Sequence, residues 1–214
     1  LLVLTSLTIQ GQTTLFDANF SNGTGDNAWV ESTGTESRWI RDTGANYARI
    51  DPWDDYRSNS YSDFVSPVID FTGYNMLTLS TDIIVDAEVD EDGMRIEYRI
   101  SGGAWTVLGT AASGFYDNTS ITAFGAGEDG WSIENDLVFF NKTLDLSAFD
   151  ASLDGASSVE FRFLFASDGS GKKKGVAFDN FIIQGTLSTP LPEIDVASAG
   201  ISIADGDTTP DAAD

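Results

Sequence analysis

A carboxylate interrupts the apolar run near the end of this chain. In "GVAFDNFIIQG", residues 175–185, Asp179 and Asn180 stand among residues that otherwise predict a buried strand. Successive side chains of a β-strand point to opposite faces, so strict alternation places Phe181 beside Asp179. Phe178 and Asn180 then fall on the other face. Because burying an unpaired carboxylate costs on the order of several kcal/mol, we expect Asp179 to accept hydrogen bonds, pair with a cation or be exposed.

A second candidate for chemistry is the aromatic segment "RIDPWDDYRSNSY", residues 49–61. Carbohydrate-binding modules stack sugars on exposed Trp or Tyr rings beside Asp, Asn and Arg, and this segment has that composition. We predict Trp53, Asp55 and Tyr56 as its ligand-binding residues, because a proline and neighbouring aspartates favour a loop there. Core packing is the more usual fate of such aromatic residues in a β-sandwich.

The composition excludes several kinds of site. The chain has 214 residues, 41% of them hydrophobic, and contains neither histidine nor cysteine. Ser-His-Asp and Cys-His catalysis, the usual zinc sites, haem ligation by His or Cys and disulfides are therefore excluded. The net charge of −23 argues against nucleic acid or an anionic membrane as partner. Bound divalent cations would offset the repulsion between carboxylates, although an acidic, soluble surface explains most of these residues equally well.

Strand-like patterns continue from residue 14 to about residue 185, without a convincing amphipathic helix. Apolar alternation is clearest in residues 76–85, 94–100, 105–110, 157–167 and 176–185. Gly-, Asn-, Asp- and Ser-rich stretches separate these segments and predict turns. The pattern predicts an all-β fold, a two-sheet antiparallel sandwich, and the length favours a jelly roll.

The two ends of the chain differ from this central part. Residues 1–13 are apolar and then small and polar, which is typical of a truncated signal peptide; a first buried strand is the alternative. This segment is too short to span a bilayer. We assign residues 14–186 to the sandwich and residues 187–193 to a proline-containing linker. Residues 194–214 are the start of a second β domain or a flexible acidic tail.

Several segments taken together resemble the MAM-like and cleaved-adhesin-like jelly-roll modules of extracellular bacterial proteins. They are "LFDANFSNG" (15–23), "NYARI" (46–50), "SDFVSPVIDFTGY" (62–74), "DEDGMRIEYRISGGAWTVL" (90–108), "GWSIENDLVFFNKTLDLSAF" (130–149) and "VEFRFLFASDGSGKKKGVAFDNFII" (159–183). Their order and spacing carry the resemblance, which implies a concanavalin/MAM-like sandwich. Separately, "PEIDVASAGISIADGDTTP" (192–210) resembles the beginning of a choice-of-anchor type immunoglobulin-like repeat.

The resemblance also implies a calcium ion held by the first and last strands. Its acidic residues correspond to Asp17 in "LFDANF" and Asp179 in "FDNF". Such modules often have Asp-Asp where this chain has Asp179 followed by Asn180, so one formal charge is missing and an amide carbonyl remains. Calcium takes six to eight oxygen ligands, and Asn19 and Asp42 are further residues of the right type. We therefore predict Ca²⁺ as cofactor, with Asp17, Asn19, Asp42, Asp179 and Asn180 as ligands.

Other interpretations of these charged residues stay open. In the alternative interpretation, Asp179 accepts hydrogen bonds from backbone N–H groups or pairs with an arginine such as Arg162. "DEDG", residues 90–93, lacks the spaced ligands and closing Glu of an EF-hand loop and predicts a turn. The lysines at 172–174 predict a solvated loop, because a strand and not a helix follows them.

Together these observations predict a non-catalytic, calcium-stabilised binding or adhesion module of a larger secreted or cell-surface protein. Its partner is an extracellular glycan or protein, with no nucleic acid and no membrane insertion. A carbohydrate-binding module that uses the exposed aromatics near Trp53 and Tyr56 is the first alternative. A carboxylate-dependent glycoside-active enzyme is the second, but no pair of acids stands out for catalysis and we expect no enzyme activity.

Overall fold

Alternating apolar residues form the strands of two antiparallel sheets. A computed structural model describes residues 11–21, 25–26, 28–50, 55–125, 128–134 and 137–188. The strands are Thr13–Ala18 (β1), Val30–Thr35 (β2), Trp39–Asp42 (β3), Tyr47–Ile50 (β4), Tyr61–Val65 (β5), Tyr74–Asp86 (β6), Gly93–Ile100 (β7), Thr106–Val107 (β8), Phe140–Asp145 (β9), Val159–Ala166 (β10) and Gly175–Leu187 (β11). The helical elements are one short α-helix, Leu146–Phe149 (α1), and the 3₁₀ turns Thr122–Phe124 and Ala151–Leu153.

The strand order defines a two-sheet sandwich. One sheet has the order β3-β4-β11-β6-β9, and β1 also pairs with β11. The other sheet has the order β2-β5-β10-β7-β8. Neighbouring strands in both sheets are antiparallel, and this architecture confirms the predicted all-β jelly-roll sandwich. The first and last strands of the described chain therefore lie side by side.

Aromatic rings fill the space between the two sheets. Phe163 of β10 and Phe178 of β11 stack with ring centroids 3.6 Å apart. Trp29, just before β2, packs against this pair with its ring centroid 5.1 Å from that of Phe178. Phe16 of β1 meets Phe181 of β11 edge to face at 6.1 Å. Each such pair adds about 0.5–1.5 kcal/mol beyond the burial of apolar area, so the core itself holds β1 against β11.

Strand β11 departs from strict alternation at its centre. Between Asp179 and Ile182 it advances three residues while its partner β6 advances two, which is a β-bulge. Asn180 has a positive φ of 49° within this bulge. Phe178 and Phe181 are consequently both buried in the core. The prediction that these two rings face opposite sides of the strand is wrong, because the extra residue resets the alternation.

The described residues end close to the predicted limits of the sandwich. β1 begins at Thr13 and β11 ends at Leu187. Residues 1–10 and 189–214 lie outside the described residues, so the signal peptide, most of the linker and the second domain stay predictions. Among the residues that the structure describes, no helix has the length and hydropathy needed to cross a bilayer.

Candidate functional site

Strand β11 changes its neighbour where the bulge occurs. Along one edge it pairs with β4 at Ala177 and Phe178, and then with β1 from Phe181 to Gly185. β6 pairs along the opposite edge. The ladder on the first edge is therefore interrupted at residues 179 and 180, where neither β4 nor β1 is the partner. Acidic side chains from neighbouring segments converge at this interruption.

Four carboxylates and one amide make up this group. Asp82 of β6 lies directly opposite Asp179. Asp17 comes from the adjacent strand β1, and the buried Asp26 comes from the loop after it. Asn180 donates from Nδ2 to Oδ2 of Asp82 at 2.7 Å and from its backbone N–H to Oδ1 of Asp179 at 2.8 Å. We call Asp17, Asp26, Asp82, Asp179 and Asn180 the β11 acidic site.

Negative charge accumulates in the β11 acidic site. Burial raises the pKa of Asp179 to about 6, against a backbone hydrogen bond that opposes the shift. The charges of Asp82, Asp26 and Asp17 raise this pKa further. Arg41 approaches the site, with Nη2 3.8 Å from Oδ2 of Asp26. No lysine or arginine within the described ranges forms an ion pair with the other three carboxylates.

One oxygen of the site has no partner. Oδ1 of Asp17 is buried and accepts no hydrogen bond from the residues that the structure describes. A buried carboxylate oxygen costs free energy unless a donor or a cation satisfies it. Calcium takes its ligands from carboxylates, amide carbonyls and backbone carbonyls, and this site offers the first two from Asp17, Asp179 and Asn180. These are the ligand types that calcium takes, but Asp17, Asp82 and Asp179 are not among the described residues whose carboxylate oxygens converge within 4.8 Å of one another.

Two of the five predicted metal ligands have other contacts. Asp42, at the end of β3, accepts two backbone N–H groups of the β3–β4 turn at 3.0 Å and pairs with Arg49 at 2.6 Å. Burial opposes its ionisation, but these hydrogen bonds and the charge of Arg49 lower the pKa of Asp42. Asp42 thus stabilises the turn between β3 and β4, and its ligand role stays a prediction. Asn19 accepts from the N–H and hydroxyl of Ser21 at 3.2 and 2.9 Å, and its ligand role stays a prediction.

The aromatic segment at 49–61 does not form the predicted stacking surface at Tyr56. Tyr56 is fully buried and packs edge to face on Phe165 with centroids 5.0 Å apart. The prediction of an exposed Tyr56 is wrong, because its ring fills the core where β10 ends. Asp55 pairs with Lys174 at 2.5 Å, which ties this segment to the lysine loop. Trp53 lies outside the described residues.

The hydroxyl of Tyr56 leads to a second group of carboxylates, which we call the Glu88 cluster: Glu88, Asp92 and Asp168. One carboxylate oxygen from each lies within 4.8 Å of the others. Asp92 is fully buried and accepts from the Tyr56 hydroxyl and from the N–H of Asp168, both at 2.6 Å. Oε2 of Glu88 is buried and has no hydrogen-bond partner in the described part of the chain. Within the described residues, this cluster is the group of acids whose oxygens converge closely enough to hold a metal ion.

Burial dominates the electrostatics of the Glu88 cluster. It raises the pKa of Asp92 to about 6, and the hydrogen bond from Tyr56 only partly offsets this. The charges of Asp168 and Glu88 raise the pKa of Asp92 further. The sequence did not indicate this cluster, because "DEDG" predicts a turn. The turn is present, since the N–H of Asp92 donates to the carbonyl of Glu88 at 2.9 Å, but the Asp92 side chain points inward.

Arg162, the alternative partner for Asp179, lies in the other sheet. It donates to Asp63 at 2.8 Å and to Glu97 at 2.7 Å, so an ion pair between Arg162 and Asp179 is excluded. Asp179 does accept a backbone N–H, as the other alternative proposed, but from its own neighbour. The carboxylates at β11 are therefore not neutralised by the arginine that the sequence suggested.

Comparisons with known proteins find similar solved structures but do not assign the chain to a family. No protein-family model and no curated protein matches the chain. The K3 cleaved adhesin domain of Lys-gingipain from Porphyromonas gingivalis has a TM-score of 0.48 at 13% identity, over 80% of this chain and 99% of that one. A family 11 carbohydrate-binding module from Clostridium thermocellum has a TM-score of 0.42 at 16% identity, over 84% and 99%.

A third match is CsCBM6-3 from Clostridium stercorarium, with a TM-score of 0.41 at 13% identity, over 81% of this chain and 98% of that one. At these identities and TM-scores the matches assign neither a family nor a ligand to this chain. The resemblance to MAM-like modules and to choice-of-anchor repeats stays a prediction.

Proposed function

We propose that this chain is a non-catalytic β-sandwich binding module of a larger secreted or cell-surface protein, stabilised by a calcium ion at the β11 acidic site. Its partner is an extracellular glycan or protein. Asp17 of β1 and Asp179 of β11 would hold the ion, which would then connect the first and last strands of the sandwich. It acts on the stability of the module and leaves the outer surfaces available for a partner.

The buried, unpartnered Oδ1 of Asp17 carries the calcium proposal. It lies in a site where the charges of neighbouring acids raise the pKa of Asp179, so a positive charge there removes an unfavourable interaction. A calcium ion takes six to eight oxygen ligands and carries twice the charge of a lysine side chain, so it offsets several carboxylates at once. Asn180 supplies a neutral carbonyl oxygen in place of a second acidic residue.

The same arrangement argues for a structural and not a catalytic role. Without His or Cys, proton transfer in this chain would rest on carboxylates, Lys or Tyr, and at this site on carboxylates. A cation bound by Asp17 and Asp179 uses these carboxylates as ligands, which lowers their basicity and removes them as general acid or base. Calcium binding and acid–base catalysis therefore compete for the same groups at this site.

Thermal unfolding of the full chain tests the proposal. Calcium added after chelation with EDTA should raise the melting temperature, since an ion at about 100 times its Kd adds about 2.7 kcal/mol of stability. Asp17→Asn and Asp179→Asn should abolish this increment. Glu36→Gln, which removes one acidic charge from a side chain 56% exposed, should retain it. An identical melt with and without calcium would contradict the proposal.

The Glu88 cluster provides an internal check on where the ion binds. Asp92→Asn removes one carboxylate from that cluster and leaves the β11 acidic site intact. The calcium increment should survive in Asp92→Asn and disappear in Asp179→Asn. The reverse pattern would place the stabilising ion at the Glu88 cluster and would contradict the assignment to β11.

A further inference from the structure

The outer face of the five-stranded sheet carries aromatic rings lying over arginines. On β7, Arg95 and Arg99 alternate with Met94, Ile96 and Tyr98, which are buried in the core, so both arginines lie on the opposite face of the strand. Arg162 of the adjacent strand β10 shares this face. Trp105 and Phe124 cover these arginines. We call Arg95, Arg99, Arg162, Trp105 and Phe124 the arginine face.

The Trp105 ring lies across the sheet. Trp105 directly precedes β8, which pairs with β7 on the side away from β10. Its ring nevertheless contacts Arg99 of β7 and Arg162 of β10, with guanidinium carbons 4.4 and 4.5 Å from the ring centroid. The indole therefore lies over β7, near both guanidinium groups. Trp105 is partly exposed, so part of the indole faces solvent.

Phe124 repeats this arrangement further along β7. The guanidinium carbon of Arg95 lies 4.5 Å from the centroid of the Phe124 ring, which is also partly exposed. Arg95 and Arg99 are four residues apart on one face of the strand, which separates them by roughly 13 Å. The two aromatic rings are thus spaced along the strand at a distance that a short oligosaccharide spans.

Polar groups beside the rings offer both donors and acceptors. Arg99 donates from Nε and Nη2 to the two carboxylate oxygens of Glu160 at 2.8 and 2.9 Å. The side chains of Arg99 and Glu160 are 29% and 16% exposed, so a ligand can reach them. Adjacent hydroxyls of a sugar ring need a donor and an acceptor close together, and this bidentate pair presents both. The pair lies beside Trp105, since Arg99 contacts that ring.

The charge of the face decides the class of sugar. The three arginines form ion pairs with four acids: Asp63, Glu97, Glu128 and Glu160. This part of the surface is therefore close to neutral, whereas the whole chain has a net charge of −23. An anionic glycan would be repelled by the chain and would find the arginines already paired. A neutral glycan is not repelled by the net charge of the chain and can stack on the two aromatic rings.

From this geometry we infer that the arginine face binds a neutral oligosaccharide, which stacks on Trp105 and extends along β7 toward Phe124. The inference rests on the proposed function of the chain as a binding module and names the class of ligand. It moves the carbohydrate site from the aromatic segment at 49–61, where Tyr56 is buried, to the outer face of the five-stranded sheet.

Isothermal titration calorimetry of the full chain tests this assignment. The probes are neutral hexasaccharides of β-linked glucose, mannose and N-acetylglucosamine, with oligogalacturonate as the acidic comparison. At least one neutral probe should bind, and Trp105→Ala should weaken its binding about tenfold or more. Phe124→Ala should weaken binding of the hexasaccharide but not of the corresponding disaccharide, because the disaccharide is too short to reach both rings.

Matched variants separate ring stacking from folding. Trp105→Tyr keeps an aromatic surface and should retain most of the affinity. Phe139→Ala removes a 36% exposed ring beside β9, in the other sheet, and should leave the affinity unchanged. If Trp105→Ala does not fold, Trp105→Leu takes its place, because leucine keeps an apolar cover over the arginines but provides no ring.

Three results overturn the inference: wild-type affinity in Trp105→Ala, binding of none of the neutral probes to the folded chain, or Trp105-dependent binding of oligogalacturonate alone. A chain that responds to calcium but binds no glycan leaves the proposed calcium-stabilised module in place. A chain that binds a neutral glycan through Trp105 without any calcium response contradicts only the calcium proposal.

Discussion

Asp179 stands directly opposite Asp82 in the ladder between β11 and β6. Like charges in directly opposed positions of antiparallel strands destabilise the pair. The side-chain amide of Asn180 donates to Asp82 but does not neutralise it. Burial raises the pKa of Asp179 to about 6, and the charge of Asp82 adds to this shift. The fold thus contains a repulsion that a proton or a cation at this position removes.

Replacing Asp179 by Asn should therefore stabilise the metal-free protein near neutral pH. The amide keeps the shape of the side chain and removes the charge that faces Asp82. The melting temperature in EDTA should rise by a few degrees, since about 1 kcal/mol corresponds to roughly 2–4 °C for a domain of this size. Differential scanning calorimetry measures this change.

The stability contributed by Asp179 depends on pH. The pKa of Asp179 is about 6 in the folded chain against 3.8 for an unperturbed Asp, so folding favours its protonated form. The corresponding stability is present below pH 3.8 and is lost as the pH rises through about 6. The advantage of Asp179→Asn over the wild type should accordingly shrink as the pH falls from about 7 to about 5. An Asn variant that is less stable than the wild type at both pH values would show that Asp82 and Asp179 do not repel each other.

The hydroxyl of Tyr56 is predicted to stabilise the fold through Asp92. In Tyr56→Phe the buried carboxylate of Asp92 loses a donor at 2.6 Å, and the N–H of Glu88 loses an acceptor at 3.1 Å. Removing one partner of a buried hydrogen bond costs about 1–3 kcal/mol. Urea denaturation should show this loss without a change in m-value.

Tyr61→Phe provides the matched control for Tyr56→Phe. The Tyr61 side chain is 42% exposed, and deleting its hydroxyl should change the free energy of unfolding by no more than about 0.5 kcal/mol. Equal free energies of unfolding for the two variants would contradict a stabilising role for the Tyr56–Asp92 hydrogen bond.

Much of the fold follows from local patterns in the sequence. Alternation of apolar residues predicts β6, β7, β10 and β11, because each has one face in the core. The bulge in β11 does not follow from alternation, because an extra residue leaves no mark in a strict two-residue period. The spacing of Phe178 and Phe181, three residues apart and both aromatic, was the signal that could have indicated it.

The candidate sites likewise include residues that the sequence predicts and residues that it does not. The proximity of Asp17 and Asp179 was predictable, because a family resemblance suggested that the first and last strands carry acidic ligands. Asp92 was not predictable from composition, since its burial depends on Tyr56, 36 residues earlier in the chain. Contacts of this range depend on how the two sheets stack, which local sequence does not specify. The arginine face escaped prediction for the same reason, because Trp105 reaches across a whole strand.

Gly171 is predicted to be required by the Glu88 cluster. It has a positive φ of 61°, and a Cβ added there would collide with the Glu88 carboxylate. Gly171→Ala should therefore lose stability twice, once from the left-handed backbone, which costs about 1–2 kcal/mol, and once from displacing Glu88. Gly102→Ala is the matched control, because Gly102 has a φ of 69° and open space around its missing Cβ. Urea denaturation should show the larger loss for Gly171→Ala, and equal losses would mean that the Glu88 carboxylate moves aside without cost.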